Sequence, residues 1–243
     1  MSHADSIHVN VTRYTKNEII DLLSLDREAS GAILNALFSR IASQPYSILL
    51  DTSGSTKSEG RFNIMGFSPS AIIEAKDDNV WLVDVALCKR TRLSQRPFEA
   101  VEQHLHARVK LVEVNANCET EHLPFIVGIA GMAGYDTGRF YETLPTIAKD
   151  DYITPDFTVG LYTSSLIEDT QTGYVYFCTA DNLMLPNVFL NNDAGTTPLD
   201  FKLTSPFESN LSKQDYELCL EKINAYLRAG DCYQVNMAQR FSA

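Results

Sequence analysis

The sequence predicts an α+β fold in which antiparallel strands form two sheets packed face to face, with helices on the outside. Three observations predict it. Short β-forming runs at Arg61–Phe67, Ser70–Lys76 and Val80–Val85 are separated by Ser-Pro and Asp-Asp-Asn punctuation, which is a meander rather than a βαβ series, so the sheet there is expected to be antiparallel. Two further runs, Phe157–Asp169 and Tyr174–Ala180, are joined by Gln171-Thr172-Gly173 as a hairpin turn. Helical periodicity is confined to a few separate stretches.

In chain order, Thr15-Lys16-Asn17-Glu18 has the spacing of a capping box, and Ile19, Ile20, Leu22 and Leu23 follow it, so a short helix begins there. A second helix is expected from Ala29 to Ser43, where Leu34, Leu37, Phe38 and Ile41 recur at three and four and Pro45 stops the pattern. Tyr46–Leu50 is a compact strand run before the polar, glycine-flanked loop 51–60. After the meander, Pro97 suits a first helical turn, and Phe98, Val101, Leu105 and Val109 space a helix ending near Lys110. His104 and His106 lie two apart on it, and residues two apart do not share a helix face, so solvated or capping roles are expected rather than a metal site.

In Phe125–Tyr135 the glycines stand three apart, a superficial match to a dinucleotide loop. Here they interrupt an apolar strand instead of opening a helix, so they mark bulges or close backbone approach. Leu183–Asn210, with its polar run Asn191–Pro198, is the expected linker. Ser212-Lys213-Gln214-Asp215 then caps a helix with the stripe Tyr216, Cys219, Leu220, Ile223, Tyr226 and Leu227, and Gly230 stops it. In Cys232–Phe241 the apolar Tyr233, Val235, Met237 and Phe241 alternate with Gln234, Asn236 and Arg240, the pattern of an amphipathic strand. Such a strand needs a sheet partner for its backbone groups, and the chain reads as truncated in mid-domain. The domains expected are a sheet-rich one over 1–205 and the start of a second over 206–243.

Composition narrows the function. The 243 residues are 44% hydrophobic and 21% charged, an ordinary globular balance. Twenty Lys and Arg against 31 Asp and Glu leave a net charge of −11, with no basic cluster beyond Lys89-Arg90-Thr91-Arg92, which argues against a grip on nucleic acid. Five widely spaced cysteines, with no C-x-x-C and no histidine at metal-ligand spacing, are expected to be reduced and mostly buried. The first residues lack a basic and apolar leader, and no run approaches the ~20 apolar residues of a membrane span, so the cytoplasm is the expected compartment.

Gly230-Asp231-Cys232-Tyr233-Gln234-Val235-Asn236-Met237-Ala238-Gln239-Arg240-Phe241 resembles the helix-to-strand junction that opens the chorismate-binding region of the aminodeoxychorismate synthase component I family. Leu123-Pro124-Phe125, Gly131–Phe140, Pro155–Tyr162 and Ser209-Asn210 are similar to further segments of that family, in the same order. Anthranilate synthase component I, from the same superfamily, usually reads Phe-Gln-Val and an apolar residue where this chain has Tyr233-Gln234-Val235-Asn236.

The resemblance implies an anthranilate-synthase-component-I-like fold, represented here by its N-terminal half. It implies that the intact enzyme, with Mg²⁺, converts chorismate and ammonia to 4-amino-4-deoxychorismate for p-aminobenzoate and folate biosynthesis. The ammonia would come from a glutamine amidotransferase partner, component II. The family's nucleophile, magnesium ligands and acid/base groups all follow the point where this chain stops, so no catalytic and no metal residue is assigned. Alternatives are anthranilate synthase component I and a non-catalytic amino-acid-binding module.

Within the present span the family places an effector pocket, between the sheets, that holds L-tryptophan. The matching positions are Leu50, Asp51, Thr52, Ser53, Arg61, Phe62, Tyr233 and Asn236. Asp51, Thr52 and Ser53 could receive an ammonium group in an otherwise apolar slot. The family usually has serine where Thr52 aligns. Read without the resemblance, Leu50, Phe62 and Tyr233 suit plain core, Arg61 a sheet-edge charge and Asp51 a turn.

Overall fold

The computed structural model describes residues 7–25, 33–53, 60–108, 112–145, 153–180, 184, 185, 189 and 202–243. Its contacts divide the chain into two units, 1–196 and 197–243.

The first unit contains strands β1 (Ile7–Thr15), β2 (Ile48–Leu50), β3 (Phe62–Phe67), β4 (Ala71–Lys76), β5 (Asn79–Asp84), β6 (Lys89–Leu93), β7 (Val112–Ala116), β8 (Gly128–Ala133), β9 (Phe157–Tyr162), β10 (Ser164–Asp169) and β11 (Tyr174–Thr179), with helices α1 (Lys16–Leu23), α2 (Ile33–Ile41) and α3 (Pro97–His104). One sheet has the order β2-β3-β10-β11-β1-β7, the other β6-β5-β4-β9-β8. All pairs in them are antiparallel except β1 with β7, which is parallel. The expectation of antiparallel pairing therefore fails at one sheet edge.

Thr15 ends β1 and caps α1. Its hydroxyl accepts from the Glu18 N–H at 3.3 Å, and the Glu18 carboxylate accepts from the Thr15 N–H at 2.7 Å, the reciprocal box read in the sequence. α1 and α2 bury Ile19, Leu23, Leu34 and Leu37 against Met65 and Phe67 of β3 on one face of the six-stranded sheet. Each such aliphatic side chain removed from water contributes about 1.5–3 kcal/mol. On the opposite face Val9, Val11, Ile167, Tyr176 and Cys178 form a second cluster, joined by Leu123 and Ile126 of the segment after β7. α3 covers the five-stranded sheet with Ala100 and Leu105 over Ile73, Ala75 and Phe157.

Several expected elements are drawn differently. The run Arg61–Phe67 is not part of the meander: β3 pairs with β2 and β10, whereas β4, β5 and β6 form the meander. The turn between β4 and β5 is Asp77-Asp78, with φ of 46° and 58°, the pair of positive values that a two-residue hairpin of matching twist requires. Phe157–Asp169 is two strands: the chain passes from one sheet to the other at Thr163. The helix expected to reach Lys110 ends at His104 and gives way to a 3₁₀ turn at His106–Arg108. The start of the second helix, at Ala29, and loop positions 54–59 lie outside the described residues.

Two segments behave unlike their patterns. The expected linker begins by entering the core: Leu185 and Phe189 are each 1% exposed, and the Phe189 ring meets Phe67 edge-on at 6.1 Å. In the second unit, Cys232–Phe241 is not a strand. Only Phe241–Ser242 (β13) pairs as a strand, with Glu208–Ser209 (β12); Arg240 exchanges bonds with Asn210 beside that pair, and residues 232–239 join no ladder among the described residues. α4 (Lys213–Ala229) forms as expected, with Ser212 accepting from the Asp215 N–H at 3.1 Å and Gly230 at φ 80°, a left-handed stop that glycine adopts without strain.

All five cysteines are free thiols, yet only Cys178 is buried. Cys88 and Cys219 are exposed, one in the β5–β6 turn and the other on α4, none of whose side chains is buried. Burial pushes the Cys178 thiol up to about 12.

Candidate functional site

Leu50-Asp51-Thr52 runs alongside Asn63-Phe62-Arg61, because β2 and β3 are antiparallel with Leu50 opposite Ile64. Leu50 is 55% exposed at the end of β2, and Asp51 and Ser53 are exposed in the turn that follows. Ser53 has φ 50°, so the backbone folds back sharply at this point. Leu50 is thus not the plain core residue that its type suggests.

Thr52 is tied down from below. Both its N–H and its hydroxyl donate to the Asn63 Oδ1, each at 3.0 Å. The Asn63 amide in turn donates to Glu168 Oε2 at 3.1 Å, and Lys16 Nζ, at the start of α1, lies 2.9 Å from Glu168 Oε1. Glu168 and Asn63 are opposite one another in the β3–β10 register and almost fully buried, at 1% and 5% exposure. A buried carboxylate with a cation on one oxygen and an amide on the other is paired as burial demands. The chain of donors fixes the amide: its NH₂ must face Glu168, so its oxygen faces Thr52. The Thr52 hydroxyl spends its proton on that oxygen and is left with lone pairs. Together with the Asp51 carboxylate, the turn therefore offers acceptors to a ligand, an arrangement suited to an ammonium or another N–H donor.

Arg61 and Phe62 flank this network on the other side of β3. The Arg61 guanidinium donates through Nε and Nη2 to Asp169 Oδ1 and Oδ2 at 3.0 and 2.7 Å, and its Cζ lies 4.7 Å from the Phe62 ring centroid. Asp169 also accepts from the Thr172 hydroxyl at 2.8 Å and from the Gln171 N–H at 3.1 Å. Burial alone would raise its pKa; the bonds from Arg61, Thr172 and Gln171 overcome that and hold it down at about 2. Arg61 is therefore neither a free edge charge nor a fully available ligand donor: one nitrogen, Nη1, is left over among the described residues.

Leu50, Asp51, Thr52 and Ser53 and, across the pair, Arg61 and Phe62 lie at one end of β2–β3, but the Thr52–Asn63–Glu168 network runs to Lys16 of α1 whereas Phe62 packs with the cluster on the opposite face of the sheet. Tyr233 and Asn236 belong to the second unit, where Tyr233 is fully exposed. Sequence reasoning missed Asn63, Glu168, Asp169 and Lys16, which hold the turn in place. The signal was present: Glu168-Asp169 closes the apolar run Leu166-Ile167, and two successive carboxylates in a strand point to opposite faces, so at least one is driven inward and needs a partner. Among the described residues no three His, Cys, Asp or Glu side chains converge as metal ligands.

Comparison with known proteins agrees with this architecture. A family model described as chorismate binding enzyme matches residues 45–243. The aminodeoxychorismate synthase component 1 of Escherichia coli (strain K12) is 32% identical over 206 residues, covering 85% of this chain and 44% of that protein. Its counterpart in Klebsiella aerogenes is 33% identical over 211 residues, with the same coverage. The anthranilate synthase component 1 of Lactococcus lactis subsp. lactis (strain IL1403) is 27% identical over 210 residues, covering 81% of this chain and 43% of that protein. Among solved structures, anthranilate synthase component I from Streptococcus pneumoniae TIGR4 superposes with a TM-score of 0.51 at 19% identity, over 82% of this chain and 44% of that one, a likeness of fold. The chain spans less than half the length of the curated relatives it matches.

Proposed function

Because this chain belongs to the family of chorismate-binding enzymes, we propose that it is the amino-terminal part of an aminodeoxychorismate synthase component 1. The whole protein would convert chorismate and ammonia to 4-amino-4-deoxychorismate for p-aminobenzoate and folate biosynthesis. The observation that carries this choice is the higher identity to the Escherichia coli and Klebsiella aerogenes aminodeoxychorismate synthases than to the Lactococcus lactis anthranilate synthase. Tyr233-Gln234-Val235-Asn236 supports it further. The component 1 names of those relatives support a glutamine amidotransferase partner as the ammonia source, and a cytoplasmic setting is part of the same proposal; no described helix is long and apolar enough to cross a membrane.

On this proposal the catalytic half, with its nucleophile and acid/base groups, corresponds to the portion of the relatives that this chain does not span. When bound there, Mg²⁺ would neutralise and orient the chorismate carboxylate. The described residues of the present chain do not fit a magnesium cage, and no step is assigned to them. Their part is to hold an effector. Asp51 and Thr52 would accept from its ammonium, Leu50 and Phe62 would flank an apolar ring, and Arg61 would offer Nη1, with Ser53 as a further member of a site for a tryptophan-like ligand.

The test is product analysis of the full-length gene product supplied with chorismate, ammonia and Mg²⁺. Formation of 4-amino-4-deoxychorismate without pyruvate is expected; anthranilate with pyruvate would transfer the chain to the alternative enzyme. For the effector, the protein is unfolded and refolded to strip endogenous ligand and titrated with L-tryptophan in a calorimeter. Saturable heat is expected, and a flat titration would remove the effector site while leaving the enzyme assignment standing.

A further inference from the structure

A second concavity, of about 550 Å³, lies away from Thr52, where β1, the start of β3 and the β10–β11 hairpin come together. Its walls include the rings of Tyr174 and Tyr176, and its donors are Arg13, Arg61 and His122. Arg13 is exposed, with Cζ 4.5 Å from the Tyr174 centroid, and makes no ion pair or hydrogen bond among the described residues. Its charge is felt by Glu18, which lies beyond ion-pair distance, so no carboxylate among the described residues claims the edge of the guanidinium. A guanidinium stacked on a phenol ring keeps its edge N–H groups available in the plane, pre-organised for a two-oxygen acceptor.

The neighbouring groups point the same way. Arg61 is immobilised by Asp169 through Nε and Nη2, which leaves Nη1 as a positioned donor at no further ordering cost. His122 Nε2 lies 3.3 Å from the hydroxyl of Tyr176, a residue only 3% exposed, so the imidazole is held by a fixed partner and Nδ1 is left over. The two rings meet edge-on at 5.6 Å and 72°, an aromatic corner in which each ring presents one face as a wall. The Thr172 hydroxyl is committed to Asp169, and Glu119 is the one carboxylate on the rim.

We infer that this concavity, built on Arg13 and Tyr174 with Arg61 Nη1 and His122 beside them, is a binding site for a planar monocarboxylate. The carboxylate pairs with the Arg13 edge, and the flat body of the ligand lies against the aromatic wall. Glu119 opposes the anion from the rim. The inference stands apart from the amination reading; with the proposed effector residues it shares Arg61, and the Phe62 ring lies 6.4 Å from that of His122.

The experiment titrates the full chain with benzoate, and in parallel with benzyl alcohol as a neutral isostere, following histidine and tyrosine ring resonances by NMR. Expected are saturable shifts of His122, Tyr174 and Tyr176 with benzoate and none with benzyl alcohol. Arg13→Gln weakens binding by about tenfold or more, the size of one lost charge-assisted pair. Arg13→Lys recovers it only in part, and Glu119→Gln tightens it. Both positions are exposed, so the thermal midpoint of each variant stays at that of the parent. Equal responses to benzoate and benzyl alcohol, equal affinity of parent and Arg13→Gln, or no saturation with tens of millimolar benzoate would each overturn the inference.

Discussion

Arg61 and Asp169 stand 108 positions apart in sequence and meet in a two-pronged ion pair that ties the first residue before β3 to the last residue of β10. Asp169 is fully buried, and its pKa of about 2 lies below its ordinary 3.8, so the pair stabilises the fold above that ordinary value and its contribution is lost as pH falls toward 2. Its weight is about 1–2 kcal/mol, allowing for solvent reaching the Arg61 side. Asp169→Asn is expected to lower stability at neutral pH by that order, with the gap to the parent closing below pH ~4. Urea unfolding at a series of pH values measures both quantities.

Tyr46 and Tyr162 should resist alkali. Burial, followed by the hydrogen bond to Glu74, pushes Tyr46 up to about 12, and burial does the same for Tyr162. Both pKa values are raised above the ordinary 10, so their contribution is present below pH 10 and lost as pH rises through about 12. Phenolate absorbance should show Tyr46 and Tyr162 ionising last of the eleven tyrosines, together with unfolding, after Tyr14 and Tyr176, which are also raised. Tyr162→Phe, which removes the 2.7 Å bond to the Tyr46 carbonyl, should cost about 1 kcal/mol and shift alkaline unfolding downward.

Gly131 admits no side chain. A Cβ there would fall 2.1 Å from the Thr158 carbonyl oxygen and 2.6 Å from Val159 Cα, both backbone atoms of the paired strand β9. Gly131→Ala should cost about 3 kcal/mol or prevent folding. Gly138→Ala meets only the tip of Leu144, at 3.4 Å, and should cost less than about 1 kcal/mol. Chemical denaturation of the pair separates a close backbone approach from a general intolerance of substitution.

Phe189 lies in a stretch whose composition reads as linker, yet it packs on Phe67 in the core under α1 and α2. Phe189→Ala should therefore cost about 3–5 kcal/mol, which no linker position would. A thermal midpoint within a degree or two of the parent would contradict this placement.

What was legible in the sequence was local. The Thr15 box, the Ser212 cap and the Gly230 stop rest on contacts three or four residues apart, and each formed as read. The alternation Ile7, Val9, Val11 that defines β1 is equally plain in the sequence, but so short a run names no partner, and β7 and β11 lie more than 100 residues away. The change of sheet at Thr163 leaves no mark, because Phe157–Asp169 is uniformly β-forming and only the pairing of β4 and β3 with its two halves breaks it. Alternation in Cys232–Phe241 satisfied side-chain pattern but not backbone demand. In the turn after β2, Asp51 and Thr52 are named only through the family resemblance, and their supports Asn63 and Glu168 acquire meaning only from a register joining positions 105 residues apart.

The passage of one strand from sheet to sheet has a mechanical consequence. β9 and β10 are a single run with one intervening residue, Thr163, so neither ladder can slip without dragging the other. A two-residue slide that kept every side chain on its own face would still have to break β4–β9, β8–β9, β3–β10 and β10–β11 at once. The two sheets are thus geared together, and a deletion within 157–169 would put both out of step, whereas a deletion in the β5–β6 turn would disturb one hairpin alone.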